Sequence, residues 1–328
     1  MTLRDAQGHP EPGRGMKRFA GIYTPIATPF HGDGAVDERA LAANVSRWMT
    51  TPLTGLVVLG SNGEATSLDD DEADRVVDVV RAGVPSSRPL MAGTGRESTR
   101  ATIAATRRAA AAGVDAALVR TPSFFKPQMA SDAFVRHFTE VADASPIPVL
   151  LYNVTLYTGV NLLPDAVERL AVHPNIVGIK ESGSDIGQIA EYVARTPEDF
   201  TVLAGSATTL VHALCAGGDG AILALASLLP AECVLMTTLI REKRLDEATA
   251  LQRRLMPLAR SVGSTYGVPG LKAALELIGY AGGPPRPPLR PVSSEVIDII
   301  RRQLDALSSA GADPSADASA KAEAPALR

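Results

Sequence analysis

Apolar residues along this chain gather into eight short runs, and amphipathic, polar-rich segments fill the intervals. The runs are "FAGIYTPIATPF" (19–30), "GLVVLGSNGE" (55–64), "PLMAGTG" (89–95) and "AALVRTP" (116–122). "PVLLYNV" (148–154), "IVGIKES" (176–182), "FTVLAGS" (200–206) and "GAILALA" (220–226) follow. Each is short and apolar on both faces, the pattern of a parallel strand covered by helices. Between them "DERALAANVSRWM" (37–49), "DEADRVVDVVRAGV" (71–84), "RATIAATRRAAAAG" (100–113) and "SDAFVRHFTEVADA" (131–144) show helical spacing. Ser, Asp and clustered acids at their starts suit N-caps and the helix dipole. The acid run Asp69-Asp70-Asp71-Glu72 reads as such a start rather than a metal site, and Gly113 as a left-handed helix stop.

Eight strands alternating with helices predict an α/β fold, a (β/α)8 TIM barrel over 18–227. A C-terminal helical extension over 228–308 follows, from segments at 229–243, 245–263, 268–280 and 293–308. The Pro-rich "GGPPRPPLRP" (282–291) reads as a rigid surface turn between the last two. Residues 1–17 and 309–328 read as disordered tails, too poor in apolar surface to fold. An open doubly wound sheet fits less well: no Gly-rich dinucleotide fingerprint follows the first strand, and "GTGRES" (93–98) is neither that nor a P-loop.

Composition changes little in this picture. With 45% hydrophobic and 21% charged residues the chain can build a sizeable core, and a net charge of −4 gives no basic stripe for nucleic acid or an anionic membrane. No apolar stretch approaches the ~20 residues that span a bilayer, and the N-terminus lacks an apolar leader, so the expected location is the cytoplasm. Cys215 and Cys233 have no metal-ligand spacing and read as small core residues.

The polar residues of the runs sit at their C-terminal ends, where this barrel builds its sites. Those ends supply Thr28, Gly60-Ser61-Asn62-Gly63-Glu64, Thr121-Pro122-Ser123, Tyr152-Asn153, Lys180-Glu181 and Gly205-Ser206. Lys180 is the oddest, a lysine closing the apolar run Ile176–Ile179. Strand parity places it on one face with Ile176 and Gly178, and Gly178 leaves space beneath it if that face is the interior. Desolvation there favours the neutral amine, which attacks a ketone to form a Schiff base. Tyr152, inward by parity with Leu150, ends the preceding strand about 4.8 Å away and suits proton transfer beside an iminium. The glycines around Ser61 and Asn62 let N–H groups converge on the carboxylate of a 2-oxo acid, with Glu64 orienting the loop. Each feature alone has a plainer reading: a snorkelling lysine, a core tyrosine, a tight turn. Their combination favours chemistry.

These residues resemble the dihydrodipicolinate synthase / N-acetylneuraminate lyase family of class I aldolases. "GIYTPIATPF", "GSNGE", "LLYNV…TG" and "GIKES" carry the resemblance in order across nearly the whole barrel. It implies Lys180 as the Schiff-base lysine, Tyr152 as the catalytic tyrosine and Ser61-Asn62 as the carboxylate-binding pair, with Gly60, Thr28, Gly205 and Ile222 around the substrate. It also implies no metal or organic cofactor, a small 2-oxo acid such as pyruvate as substrate, and a homotetramer. Within the family "ADASPIPVLLYNV", "HPNIVGIKESG", "VLAGSA" and "YGVPGLK" are most similar to 4-hydroxy-2-oxoglutarate aldolase, which yields pyruvate and glyoxylate.

Three positions depart from the family. Tyr157 stands where its synthases carry an arginine for the second substrate's carboxylate. Phe124 and Phe125 offer no hydroxyl where a neighbouring subunit usually lends a tyrosine. The aldolase branch keeps a tyrosine pair there and a smaller residue at 157. The sequence therefore predicts retro-aldol cleavage of a 4-hydroxy-2-oxo acid. A synthase-like condensation or sugar-acid aldolase or dehydratase reaction, and a barrel that binds 2-oxo acids without turnover, are the alternatives.

Overall fold

A computed structural model describes residues 19–311, and eight parallel strands close into one barrel. In order they are β1 (Gly21–Pro25), β2 (Gly55–Val58), β3 (Leu90–Gly93), β4 (Ala116–Arg120), β5 (Val149–Asn153), β6 (Ile176–Glu181), β7 (Thr201–Ala204) and β8 (Gly220–Ile222). Each pairs with its neighbour in sequence, and β8 returns to β1 through Gly21 opposite Gly220. The outer ring contains α1 (Glu38–Trp48), α2 (Asp70–Gly83), α3 (Thr99–Ala111), α4 (Ser131–Ala144), the single turn α5 (Thr155–Thr158), α6 (Pro164–Ala171), α7 (Ile186–Arg195) and α8 (Leu210–Cys215). Four helices follow the barrel: α9 (Pro230–Arg241), α10 (Leu245–Arg260), α11 (Gly267–Leu277) and α12 (Ser294–Gly311). All eight expected strands are present, and the TIM barrel is the fold.

Local chemistry sets the helix ends. Asp69 and Glu72 form a reciprocal capping box at the start of α2, which accounts for the acid run. Gly113 follows α3 at φ +82 and Gly279 follows α11 at φ +79, left-handed stops that a glycine takes without strain. α12 continues through 309–311, past the expected limit of 308. The expected tail at 1–17, and 312–328 of the other, lie outside the described residues.

Two apolar layers hold the barrel. Tyr23, Val57, Met91, Leu118, Leu150, Leu203 and Ile222 fill its interior. Ile22, Leu56, Val119, Ile179 and Val202 join the helices in the larger outer core. Burying each aliphatic side chain contributes about 1.5–3 kcal/mol. Cys233 belongs to that outer core, whereas Cys215 is exposed at the end of α8, contrary to expectation. The Pro-rich segment is also more than a surface turn. Gly282 and Pro285 are buried, and a Cβ on Gly282 would come within 2.8 Å of the Lys272 carbonyl carbon, so this strap lies directly on α11.

The ladder between β5 and β6 slips once. Val149 faces Ile176, yet Leu150 faces Gly178, leaving Val177 as a bulge. The bulge corrects the simple parity reading: Ile176 packs in the outer core, while Val177 packs against the interior cluster. Gly178 does not leave space beneath Lys180 either. A Cβ there would stand 2.5 Å from the Thr201 carbonyl oxygen, so the glycine permits close approach of β7.

Candidate active site

The turn after β2 is built under strain. Leu59 and Glu64 take positive φ values of 56 and 54, flanking a 3-10 turn over Ser61–Gly63. Such a conformation costs a residue with a side chain about 1–2 kcal/mol, and it is tolerated where surrounding structure dictates it. Gly93 makes room for Leu59, since a Cβ on it would lie 2.7 Å from the Leu59 carbonyl carbon. Thr28 donates its hydroxyl to the Gly63 carbonyl at 2.8 Å. Thr28 therefore braces the turn from behind rather than lining the cavity itself.

Past the bulge, register carries Tyr152 directly opposite Lys180. The lysine is 4% exposed, and its Nζ lies 4.3 Å from the centre of the tyrosine ring. The Tyr152 hydroxyl is 3.3 Å from the Ser61 hydroxyl. One polar line thus joins the ends of β2, β5 and β6.

A cavity of about 450 Å³ opens onto Lys180 and Tyr152. Asn62, Gly205 and Ile222, all expected at the site, line it. Gly60 and Ser61 instead line a second cavity of about 240 Å³, with Arg96, Glu97 and Arg120, and Tyr152 forms the wall shared by both. Tyr157 faces the larger cavity from its rim, 56% exposed. Phe124 and Phe125 stand outside it, 76% and 67% exposed, in an edge-to-face pair.

Several lining residues were missed from the sequence. Ser182, whose buried hydroxyl has no hydrogen-bond partner among the described residues, follows Lys180 by two residues, and its position in "GIKES" was the available signal. Gly263, Ser264, Gly267 and Val268 also line the cavity, at the join of α10 and α11. No strand-end logic could have found them. Gly205 is required where it stands, because a Cβ there would lie 2.8 Å from Ser182 Cβ.

Behind the lysine, Glu181 points the other way and is 1% exposed. Its Oε2 accepts from Asn153 Nδ2 at 2.7 Å, Gln188 Nε2 at 2.9 Å and the Tyr192 hydroxyl at 3.2 Å. Its Oε1 accepts from the backbone N–H of Gly183 at 2.5 Å. Burial and the Glu181 charge both push the Tyr192 phenol upward, keeping it a donor. This network ties β5, β6 and α7 together immediately beneath the cavity. Among the described residues, no group of three His, Cys, Asp or Glu side chains is arranged to hold a metal, and no helix is long and apolar enough to cross a membrane.

Fold and site together define a lysine-bearing TIM barrel, with the amine held inside the mouth against a phenol. The model of the dihydrodipicolinate synthetase family matches residues 18–307, and the chain belongs to that family. It is 41% identical over 276 residues to a 4-hydroxy-tetrahydrodipicolinate synthase of Xanthomonas axonopodis pv. citri, covering 84% of this chain and 90% of that protein. Its fold matches the dihydrodipicolinate synthase of Thermotoga maritima with a TM-score of 0.83 at 32% identity, over 88% of this chain and 98% of the other. It also matches YagE, a prophage protein of this family from E. coli K12 in complex with pyruvate, with a TM-score of 0.83 at 29% identity, over 89% and 99%. Enzymes of the family use a lysine Schiff base with pyruvate and need no metal or cofactor. The Xanthomonas and Thermotoga relatives carry the name of synthases, so the nearness to 4-hydroxy-2-oxoglutarate aldolase is not reproduced.

Proposed function

We propose that Lys180 forms a Schiff base with pyruvate and that the enzyme makes or breaks a carbon–carbon bond at pyruvate's methyl carbon. The observation that carries this reading is the pairing of a nearly sealed amine with a phenol, Nζ to ring centre 4.3 Å, at the wall of one cavity. The neutral amine adds to the C2 ketone and water leaves, giving an iminium. Tyr152, having given its proton to the departing hydroxide, takes up a methyl proton to leave an enamine, whose carbon adds to an aldehyde. Tyr152 delivers the proton to the new alkoxide, and water hydrolyses the iminium to free Lys180. The reverse sequence is cleavage. Asn62 and the N–H groups of its turn hold the pyruvate carboxylate, with Ser61 acting through the Tyr152 hydroxyl. Gly60, Gly205 and Ile222 shape the pocket.

Two finer readings differ in the second substrate. The names of the relatives favour condensation as in 4-hydroxy-tetrahydrodipicolinate synthases. Tyr157 on the cavity wall, in place of an arginine, favours a different partner from that of the synthases, and cleavage of 4-hydroxy-2-oxoglutarate rests on the motif resemblance. Self-association into a homotetramer belongs to the same reading, supported by the exposed Phe124–Phe125 pair.

Borohydride reduction with pyruvate, followed by mass spectrometry of the Lys180 peptide, tests the chemistry. A reduced pyruvyl adduct on Lys180 is expected, and no adduct on folded protein in excess pyruvate would overturn it. Pyruvate consumption with the aldehyde substrate of the synthases, against pyruvate release from 4-hydroxy-2-oxoglutarate, separates the two finer readings. Light scattering reports the assembly.

A further inference from the structure

Two motif residues without a chemical role, the glutamate of "GSNGE" and the lysine of "YGVPGLK", meet in the structure. Glu64 Oε1 and Lys272 Nζ are 2.6 Å apart, and each side chain is 1% exposed. Glu64 is also the residue that closes the turn presenting Ser61 and Asn62. Its N–H donates to the Ser61 carbonyl at 3.1 Å, and its backbone is left-handed. Its Oε2 accepts from the Arg286 N–H at 2.8 Å.

The pair is the centre of a wider junction. Lys272, on α11, also donates to the Pro284 carbonyl at 2.9 Å and lies 4.3 Å from the Phe30 ring centre. The Arg286 guanidinium packs on the same Phe30 ring, 4.4 Å from its centre, and grips Glu72 of α2 with two bonds of 2.7 Å. A third bond of 2.6 Å reaches the Ser67 carbonyl. Lys272 of α11 and the strap thus meet on the Glu64 carboxylate, and the loop after β1 and the start of α2 join the junction one step out, through Phe30 and Glu72. Gly267 and Val268, about one helical turn before Lys272 at the start of the same α11, wall the cavity.

A buried ion pair is weak evidence of stabilisation, since apolar groups of similar volume often serve as well. Its better-attested use is to fix one arrangement among several, and here it acts on the residue whose strained backbone ends the turn. We propose that Glu64 and Lys272 are positioning residues that hold the Ser61–Asn62 turn in register with Tyr152, so that the C-terminal helices set the affinity for the 2-oxo acid. The proposal rests on the reading of that turn as the carboxylate site.

The test compares wild type with Glu64→Gln and with the double variant Glu64→Gln/Lys272→Met, which removes both charges at similar volume. The pyruvate concentration for half-maximal trapping on Lys180 rises about tenfold in each, while trapping at saturating pyruvate reaches the wild-type extent. Hydrogen exchange in a peptide spanning 59–67, measured without pyruvate, speeds up by a similar factor, and peptides from β5 and β6 do not change. A purely structural pair gives the opposite: a double variant with wild-type half-saturation and unchanged exchange, which overturns the proposal. Failure of wild type to trap pyruvate would count against the Schiff base alone, and the exchange comparison then decides the positioning role by itself. Glu64→Gln, the smallest change, serves if the double variant does not fold.

Discussion

Tyr152 and Lys180 are register partners on adjacent parallel strands, and the lysine nitrogen stands 4.3 Å from the centre of the tyrosine ring. Residues paired across a ladder cannot drift independently, because the backbone bonds that hold the barrel hold them too. The spacing of amine and phenol is thus a property of the sheet.

Replacing the amine should end the chemistry without ending the fold. Lys180→Ala is expected to give no borohydride adduct and only background turnover. Lys180→Arg should fail equally, since a guanidinium stays protonated and cannot attack a ketone. Mass spectrometry of the reduced protein and a pyruvate-coupled assay check both.

Tyr152→Phe keeps the ring beside the Lys180 nitrogen and removes only the hydroxyl that meets Ser61 at 3.3 Å. Loss of one proton-transfer group should lower kcat by about 10²–10⁴-fold. The Lys180 adduct should still form on prolonged incubation with pyruvate. Steady-state kinetics beside trapping yields separate the two effects.

Gly205→Ala places a Cβ 2.8 Å from Ser182 Cβ and 2.9 Å from Ser182 Cα. The Gly205 backbone is pinned there, because its N–H is bonded to the Glu181 carbonyl at 2.6 Å. Overpacking of this kind costs about 1–3 kcal/mol. A lower thermal midpoint and a raised KM are expected together, read from calorimetry and initial rates.

His137 predicts an acid limit on stability. It is 6% exposed, its Nδ1 lies 2.9 Å from the Thr99 hydroxyl, and burial lowers its pKa from 6.5 to about 4. Between those values the unfolded chain binds a proton that the folded chain refuses, so stability falls as pH drops from about 6.5 to about 4 and is flat above. The full loss is about 3 kcal/mol, at 1.36 kcal/mol per pH unit. His137→Gln should flatten the dependence of the thermal midpoint on pH over that window; an unaltered slope would rule the residue out.

Much of this molecule was legible in the order of its residues. The eight strands could be read because parallel strands buried on both faces leave unbroken apolar runs, and "LLYNV" and "GIKES" placed Tyr152 and Lys180 correctly. What stayed hidden depends on distance in space. Thr28 looked like a rim residue because its strand ends there, yet its hydroxyl turns back to the Gly63 carbonyl. Ser61 and Asn62 are neighbours that face different cavities, since a 3-10 turn rotates successive side chains by about 120°. The contribution of Gly263 to Val268 follows from how α10 and α11 fold back on the barrel, which no local pattern encodes.

The bulge at Val177 divides β6 into two segments that answer to different demands. Below it, Ile176 is a hydrophobic anchor for the helical shell; above it, the strand serves the barrel mouth. One supernumerary residue works as a phase shifter between them. Sequence can change under the shell without rotating the amine, and the rim can be rebuilt without unseating the anchor. Deleting Val177 would merge the segments into a single alternating register, and every later adjustment to one would then be transmitted to the other.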